Sequence, residues 1–440
     1  MSQRRVVVTG LGVISSLGIG KQEFWEGLCS QRIGIKPIDS FDVRGFACQV
    51  GGQVNGFKIN QYIPRSYRKA AKLMARDIGM AVAAADMAVR DAGLITKGTD
   101  PENPQVDPVR LGTDLGAGLI DIDLNELGAA VEQSLDQGRR FSYDLWGKRG
   151  MAQLTPLWLL KFLPNMLACH IGIIHDAQGP SNTVLCGEIS SHQAIGEAFH
   201  MVAGGAADIC ITGGAKSKIA PLSIVRQELI GQLNSRSNGR PDEACRPFNK
   251  NRSGCVPAEG AGIFTIEELQ YALGRGAKVY AELCGSAATR QGNSAHQLAS
   301  SVEGLSRAIR DALDMAGCQP QEVDLVIPHG VGGVQEDLAE AQGIKMGLGE
   351  KKGSTVAVLP IQGGVGNSYA AAGGLDLSVA LLVLAEGKIP AATNCPQPCP
   401  ECGLNIVQTT TSADTVNVVL LTGYTTGGQS AALVIKRFVE

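Results

Sequence analysis

The chain of 440 residues has little net charge. Its 39 Lys and Arg nearly balance 42 Asp and Glu, which leaves −3 and an isoelectric point near 6.1. No basic excess is present to gather a polyanion, so bulk nucleic-acid binding is excluded as a function class. No apolar run reaches the roughly 18 residues that a membrane span requires, and no span is expected. The opening residues Met1 to Arg5 lead straight into a strand pattern, Val6 to Thr9, without the longer apolar stretch of a signal peptide. The full G-x-G-x-x-G with its downstream acid is missing both near Gly10 and in the run Gly363 to Gly366, so neither is a dinucleotide fingerprint. Cys395, Cys399 and Cys402 include a C-x-x-C spacing but lack a nearby fourth ligand, and read as a proline-stiffened surface loop. No metal and no cofactor is expected.

The chain does have a hydrophobic fraction of 44%, a charged fraction of 18% and 56 glycines, an α/β composition rich in turns. Its length allows a large core built as two domains or one double domain. The twelve cysteines are scattered. Several, such as Cys169, Cys210 and Cys284, lie inside apolar runs and read as buried free thiols of a reducing cytoplasm.

One stretch organises the rest: G-P-S-N-T-V-L-C-G-E from Gly179 to Glu188, followed by an apolar-periodic helix through Ile189, Ala194, Ile195, Ala198 and Val202. A strand that turns sharply into a helix is the geometry of a nucleophile elbow. It lifts one side chain into a pocket and aims the helix N-terminus at it, which lowers a thiol pKa or holds an oxyanion. The residue on this elbow is Glu188. Cys186 falls at the strand end and is expected to point into the core.

The second half repeats the plan. A buried strand, Val323 to Pro328, delivers His329-Gly330. Another, Ser354 to Pro360, leads through glycines to Asn367 and an Ala-rich helix. A strand–turn–helix unit used twice implies an internal duplication, with both elbows facing one site. In the first half, Ser66 to Gly93 reads as one long helical region, with Arg65, Arg68, Lys69 and Lys72 at its start. That basic cluster is either a solvated helix face or a docking surface for an acidic partner.

These motifs resemble, nearly end to end, the elongating (type II) β-ketoacyl-acyl-carrier-protein synthases. The resemblance rests on V-V-V-T-G-L-G-V-I-S-S-L-G from Val6, R-P-F-N-K-N-R-S-G before P-A-E-G-A-G, and A-K-V-Y-A-E-L. It continues in His329-Gly330 with E-D-L-A-E-A-Q, in G-N-S-Y-A-A-A-G-G, and in the terminal T-G-G-Q-S-A-A-L-V-I-K-R-F. It implies a thiolase-like α/β fold: two similar βαβαβ-type halves, residues 1–267 with the elbow and 268–440 with the His and Asn positions, forming a five-layered α-β-α-β-α core. It also implies an acyl carrier protein as partner and a homodimer, or a heterodimer with a Cys-bearing ketosynthase.

The resemblance further implies an elbow Cys that accepts an acyl chain, two His that help decarboxylate malonyl-carrier protein, and a Lys near the second His. Counting from Pro180 and back from Ile195-Gly196, the Cys position is Glu188. The first His is kept as His329. The second is Asn367, and the Lys is Gln362. Val331-Gly332-Gly333 replaces a Thr-rich loop that contacts the pantetheine arm, Thr426 stands for a gating Phe, and Glu340 matches a structural carboxylate. Glu188 is expected to be charged, a poor nucleophile that blocks the acyl-enzyme position; the plainer reading is a loop carboxylate capping a helix. Two variants of the family lack the Cys: chain-length-factor subunits, which pair with an active ketosynthase, and loading-module domains, where Gln replaces the Cys and malonyl thioesters are only decarboxylated. The sequence therefore points to a non-condensing partner subunit first. A malonyl-carrier-protein decarboxylase or divergent synthase comes second, and an acyl or carrier-protein binding protein third.

Overall fold

The structure is a computed structural model that describes residues 4–292 and 302–439. Five strands set the plan of the first half: β1 Val6–Ser15, β2 Leu111–Gly116, β3 Ser181–Val184, β4 Ile209–Ser217 and β5 Glu259–Glu268. Their spatial order is β3-β2-β4-β5-β1, the first two pairings parallel and the last two antiparallel. The second half uses β6 Ala281–Arg290, β7 Leu325–Ile327, β8 Ala357–Val358, β9 Val418–Tyr424 and β10 Gln429–Lys436. Their order, β8-β7-β9-β10-β6, and their directions are the same. The halves join where Val6–Val8 of β1 runs antiparallel to Ala281–Leu283 of β6. The duplication read from the sequence is thus a repeated strand order.

Strands buried on both faces read as continuous apolar runs. All ten residues of β1, V-V-V-T-G-L-G-V-I-S, are buried. Helices α2 Ser190–Ala203 and α5 Ala372–Glu386 form the middle layer. Helix α2 packs on β2 and β4 of one half and β6 of the other; α5 packs on β5 and β9. Helix α1 Arg76–Asp91 covers the outer face of the first half, while α3 Val302–Met315 and α4 Val334–Leu348 cover the second. This is the five-layered thiolase-like fold.

Helix α5 is buried from Ala372 to Leu384, as a helix apolar all round must be. With the preceding turn, Tyr369–Glu386 has the length and hydropathy of a membrane span, but 89% of it is buried inside the protein, which makes it the core helix. Gly262 of β5 and Gly374 of α5 meet backbone to backbone. A Cβ on Gly262 would lie 2.3 Å from the Gly374 carbonyl carbon, so no larger residue fits.

The structure corrects the long helix expected over 66–93. Two short 3₁₀ turns, Arg65–Tyr67 and Ala70–Leu73, precede extended backbone at Met74 and Ala75, and α1 begins only at Arg76. Tertiary pairing overrides the helical period here. Starting at Arg76 places its Nε 2.6 Å from buried Glu259 and puts Asp77 2.6 Å from the Lys216 ammonium. Arg65, Arg68, Lys69 and Lys72 therefore stand exposed on the turns and not at a helix start. The strand expected over 354–360 shrinks to Ala357–Val358, because Glu350–Thr355 is helical.

Candidate active site

Gly187 adopts φ +58°, a conformation costly for any residue with a Cβ. It turns the chain from β3 into a 3₁₀ turn, Gly187–Ile189, that runs on into α2. Glu188 sits on that turn. The second elbow is built alike: Gly366 has φ +81° and is followed by Asn367, a 3₁₀ turn Tyr369–Ala371 and α5. Backbone bonds fix this turn against the first half. Asn367 N–H donates to the Val256 carbonyl and the Asn367 carbonyl accepts from Ala258 N–H, both at 2.8 Å. The Asn367 Oδ1 accepts from Tyr369 N–H at 2.9 Å, which leaves the amide NH₂ as the group free to donate.

Six positions singled out in the sequence line one cavity: Glu188, His329, Val331, Gly333, Asn367 and Thr426. His329 follows the short strand β7. Its backbone N–H and that of Gly330 donate to the two oxygens of Glu340 at 2.8 and 2.9 Å, and Thr422 Oγ1 adds a third donor. Glu340 is thus the carboxylate that holds the His329 turn, though burial pushes its pKa up to about 8. The His329 ring is 1% exposed and lies edge-on to Tyr424, centroids 5.1 Å apart. Neither ring nitrogen has a hydrogen-bond partner. Burial, helped by nearby His192, lowers the His329 pKa to about 3, so the ring is neutral near pH 7 and offers one N–H.

The Glu188 carboxyl is held less readily in its charged form than the helix N-terminus alone would hold it. Burial raises its pKa; its own backbone N–H and the Lys218 ammonium pull the other way but do not cancel the rise. Desolvation thus outweighs the helix N-terminus.

Other expected positions lie elsewhere. Gln362 does not line the cavity: it is buried, its Oε1 accepts from Ile361 N–H and its Nε2 donates to Asp376 at 3.4 Å. Cys186 is not a strand residue pointing into the core. The strand ends at Val184, and Cys186 is half-buried at the start of the turn, its N–H donating to Ser190 Oγ at 2.8 Å. Burial raises its thiol pKa, which disfavours the thiolate that a nucleophile needs.

Cys255, Gln232, Glu336 and Tyr424 also line the cavity and were not singled out. Cys255 lies in the R-P-F-N-K-N-R-S-G-C segment, read as loop. Its pKa is pushed up to about 12 by burial, and its sulfur lies 3.6 Å from the Tyr369 hydroxyl. His192, on α2 one turn after Glu188, was missed too. It is fully buried, with Gly373 and Gly423 close against its ring and Nε2 3.9 Å from Asp376. Among the described residues no group of His, Cys, Asp and Glu is arranged to hold a metal ion.

A thiolase-like scaffold with paired elbows around one cavity defines the class. Family models agree: residues 3–272 match the beta-ketoacyl synthase N-terminal domain and residues 280–396 its C-terminal domain. The chain belongs to the β-ketoacyl synthase family. It is 32% identical over 441 residues to 3-oxoacyl-[acyl-carrier-protein] synthase 2 of Synechocystis sp., covering 100% of this chain and 99% of that one. The ishigamide ketosynthase/chain length factor is 28% identical with a TM-score of 0.84, each chain covered fully. A type II polyketide synthase acyl-carrier protein in complex with its ketosynthase bound to the hexaketide, AntDE:AntF, gives 25% and 0.82, again with full coverage of both chains.

Proposed function

We propose that this chain is a non-condensing subunit of fatty-acid or polyketide-type synthesis that works with a Cys-bearing ketosynthase and an acyl carrier protein. The observation that carries the reading is Glu188: the elbow offers a carboxyl group where an acyl acceptor needs a thiolate. The partner assignment is supported by β3, the edge strand of the sheet. Leu185 at its end and Ile173 on the helix packed against it are 56% and 61% exposed, an apolar edge that an associating chain would cover. The exposed Arg65, Arg68, Lys69 and Lys72 suit the docking of an acidic carrier protein. Val331, Gly333 and Thr426 would border the arm it delivers. We keep the division into halves 1–267 and 268–440, and a cytoplasmic location, which the free state of all twelve cysteines fits.

The test is reconstitution. The chain alone should give no β-ketoacyl product from acyl- and malonyl-carrier protein, and adding a Cys-bearing ketosynthase should give one whose chain length depends on this subunit. Product from the chain alone would refute the proposal.

A second reading has its own support in the unpartnered ring nitrogens of His329 beside the Asn367 amide. Two donors on one cavity suit the oxygen of a thioester enolate, the species that decarboxylation of a malonyl thioester leaves. When protonated, Glu188 on the same wall has the shape of Gln and a proton to return to the enolate carbon. On this reading the isolated chain converts malonyl- to acetyl-carrier protein, which intact mass spectrometry reads directly; unaltered malonyl-carrier protein would dismiss it.

A further inference from the structure

We propose that Cys399 and Cys402 form a reversible dithiol–disulfide site coupled to the rim of the cavity. The loop that carries them is at the surface, but its thiols turn inward: Cys395, Cys399 and Cys402 are 2%, 7% and 1% exposed. Cys402 N–H donates to the Cys399 carbonyl at 3.2 Å and closes a tight turn around Pro400 and Glu401. Such a turn keeps its end Cα atoms within about 7 Å, close to the roughly 4.4–6.8 Å that a disulfide spans. The Cys402 thiol lies against that of Cys399. The turn is strapped down by Cys399 N–H to the Phe248 carbonyl and Lys250 N–H to the Gln397 carbonyl, both at 2.8 Å.

Two side chains equip the pair for exchange. The Cys399 S–H donates to the exposed carboxylate of Glu401 at 2.9 Å. Buried Arg252 lies near enough to interact with the Cys399 sulfur, and its Nε pairs with Asp337 Oδ2 at 3.6 Å. Arg252 also donates to the carbonyls of Asn249, Gly333 and Val334 at 3.1, 3.1 and 2.8 Å. Gly333 lines the cavity. The arginine that faces the thiols is therefore the one that holds the cavity rim.

The oxidant is a small-molecule disulfide such as oxidised glutathione. Cys399 gives its proton to Glu401, and its thiolate attacks one sulfur, forming a mixed disulfide and releasing one thiolate that takes up a proton. Cys402, whose thiol burial pushes up to about 12, then attacks the mixed disulfide and passes its proton to the departing thiolate, which leaves as the second thiol. Two electrons and two protons pass from the protein to the small disulfide, which leaves as two thiols. Once bonded to Cys402, the Cys399 sulfur has no proton to donate to Glu401 and a changed position beside Arg252, and the Gly333–Val334 turn that Arg252 holds registers the change.

The test treats the native full chain with oxidised glutathione, blocks remaining thiols and maps the peptides by mass spectrometry. The expected result is loss of two hydrogens in the peptide holding Cys399 and Cys402, reversal by dithiothreitol, and altered amide exchange over residues 330–337. Cys402→Ser should instead accumulate a stable glutathione adduct on Cys399, and Cys399→Ser should show neither. A disulfide through Cys395, adducts confined to other cysteines, or no reaction in the wild type and Cys402→Ser would overturn the proposal.

Discussion

The two elbows are one device filled in two ways. In each, a glycine with positive φ precedes the site residue, Gly187 before Glu188 and Gly366 before Asn367, and a 3₁₀ turn leads into a middle-layer helix. The surroundings differ. The Asn367 turn is fully buried and bonded to Val256 and Ala258 through its backbone. The Glu188 turn ends an edge strand beside exposed Leu185. Backbone geometry therefore sets where the site residue stands, and the side chain alone sets what it can do. A carboxyl at one elbow and a carboxamide at the other give the same scaffold two different chemistries.

The largest effect should come from His329, which both elbows face across the cavity. If the chain decarboxylates malonyl thioesters, His329→Ala should lower the rate by about 10²–10³ at unchanged stability, the loss typical of one oxyanion donor. Equal rates in the variant would show that the ring does not act on substrate.

The elbows themselves should respond unequally. A Cβ on Gly366 would meet the Ala258 Cβ at 2.8 Å, whereas one on Gly187 has the Thr425 Cγ2 nearest, at 3.2 Å. Strain of a left-handed residue adds to both, so Gly366→Ala should cost about 2–3 kcal/mol and Gly187→Ala about 1. Urea denaturation checks this; the reverse order would mean the two turns are not held alike.

The second strands of the halves offer a smaller contrast. β7 is wholly apolar, Leu325 to Ile327, whereas β2 buries Asp114 with both oxygens unpartnered. Burial first, then Glu197, pushes the Asp114 pKa up to about 8. Its folded pKa lies above the unfolded value near 3.9, so the folded state binds the extra proton between the two. The stability of the wild type thus falls as pH rises from about 4 to 8, by at most ~1.4 kcal/mol per unit from this group. Asp114→Asn should be neutral near pH 4 and increasingly stabilising towards pH 8, read from the melting temperature across that range. A constant difference would contradict the assignment. Least of all, Arg68→Glu should weaken carrier-protein binding only a few-fold, more at low salt than at high, as exposed charges do.

Much of this was legible in the sequence because backbone demands leave marks. Gly-Glu and Gly-Asn at sharp turns into helices, the all-apolar α5 and the buried β1 each reflect a local rule. The helix break at Met74 and Ala75 left no mark, because buried Glu259 and Lys216, far along the chain, decide where α1 starts. Cys186 was misplaced by the two residues that the strand stops short. The upward shift of the Glu188 pKa could not be read, since it is set by the walls around it. Cys255 and His192 carry no motif; only the folded chain brings one to the cavity and the other near His329.

Intact mass spectrometry of the protein after incubation with acyl-carrier protein donor tests the central claim most directly. The wild type should remain unmodified, while Glu188→Cys, with a thiol at the helix N-terminus, should take up one acyl group. An acyl adduct on the wild type, at Cys186, Cys255 or any other residue, would contradict the claim that this elbow has lost its acceptor.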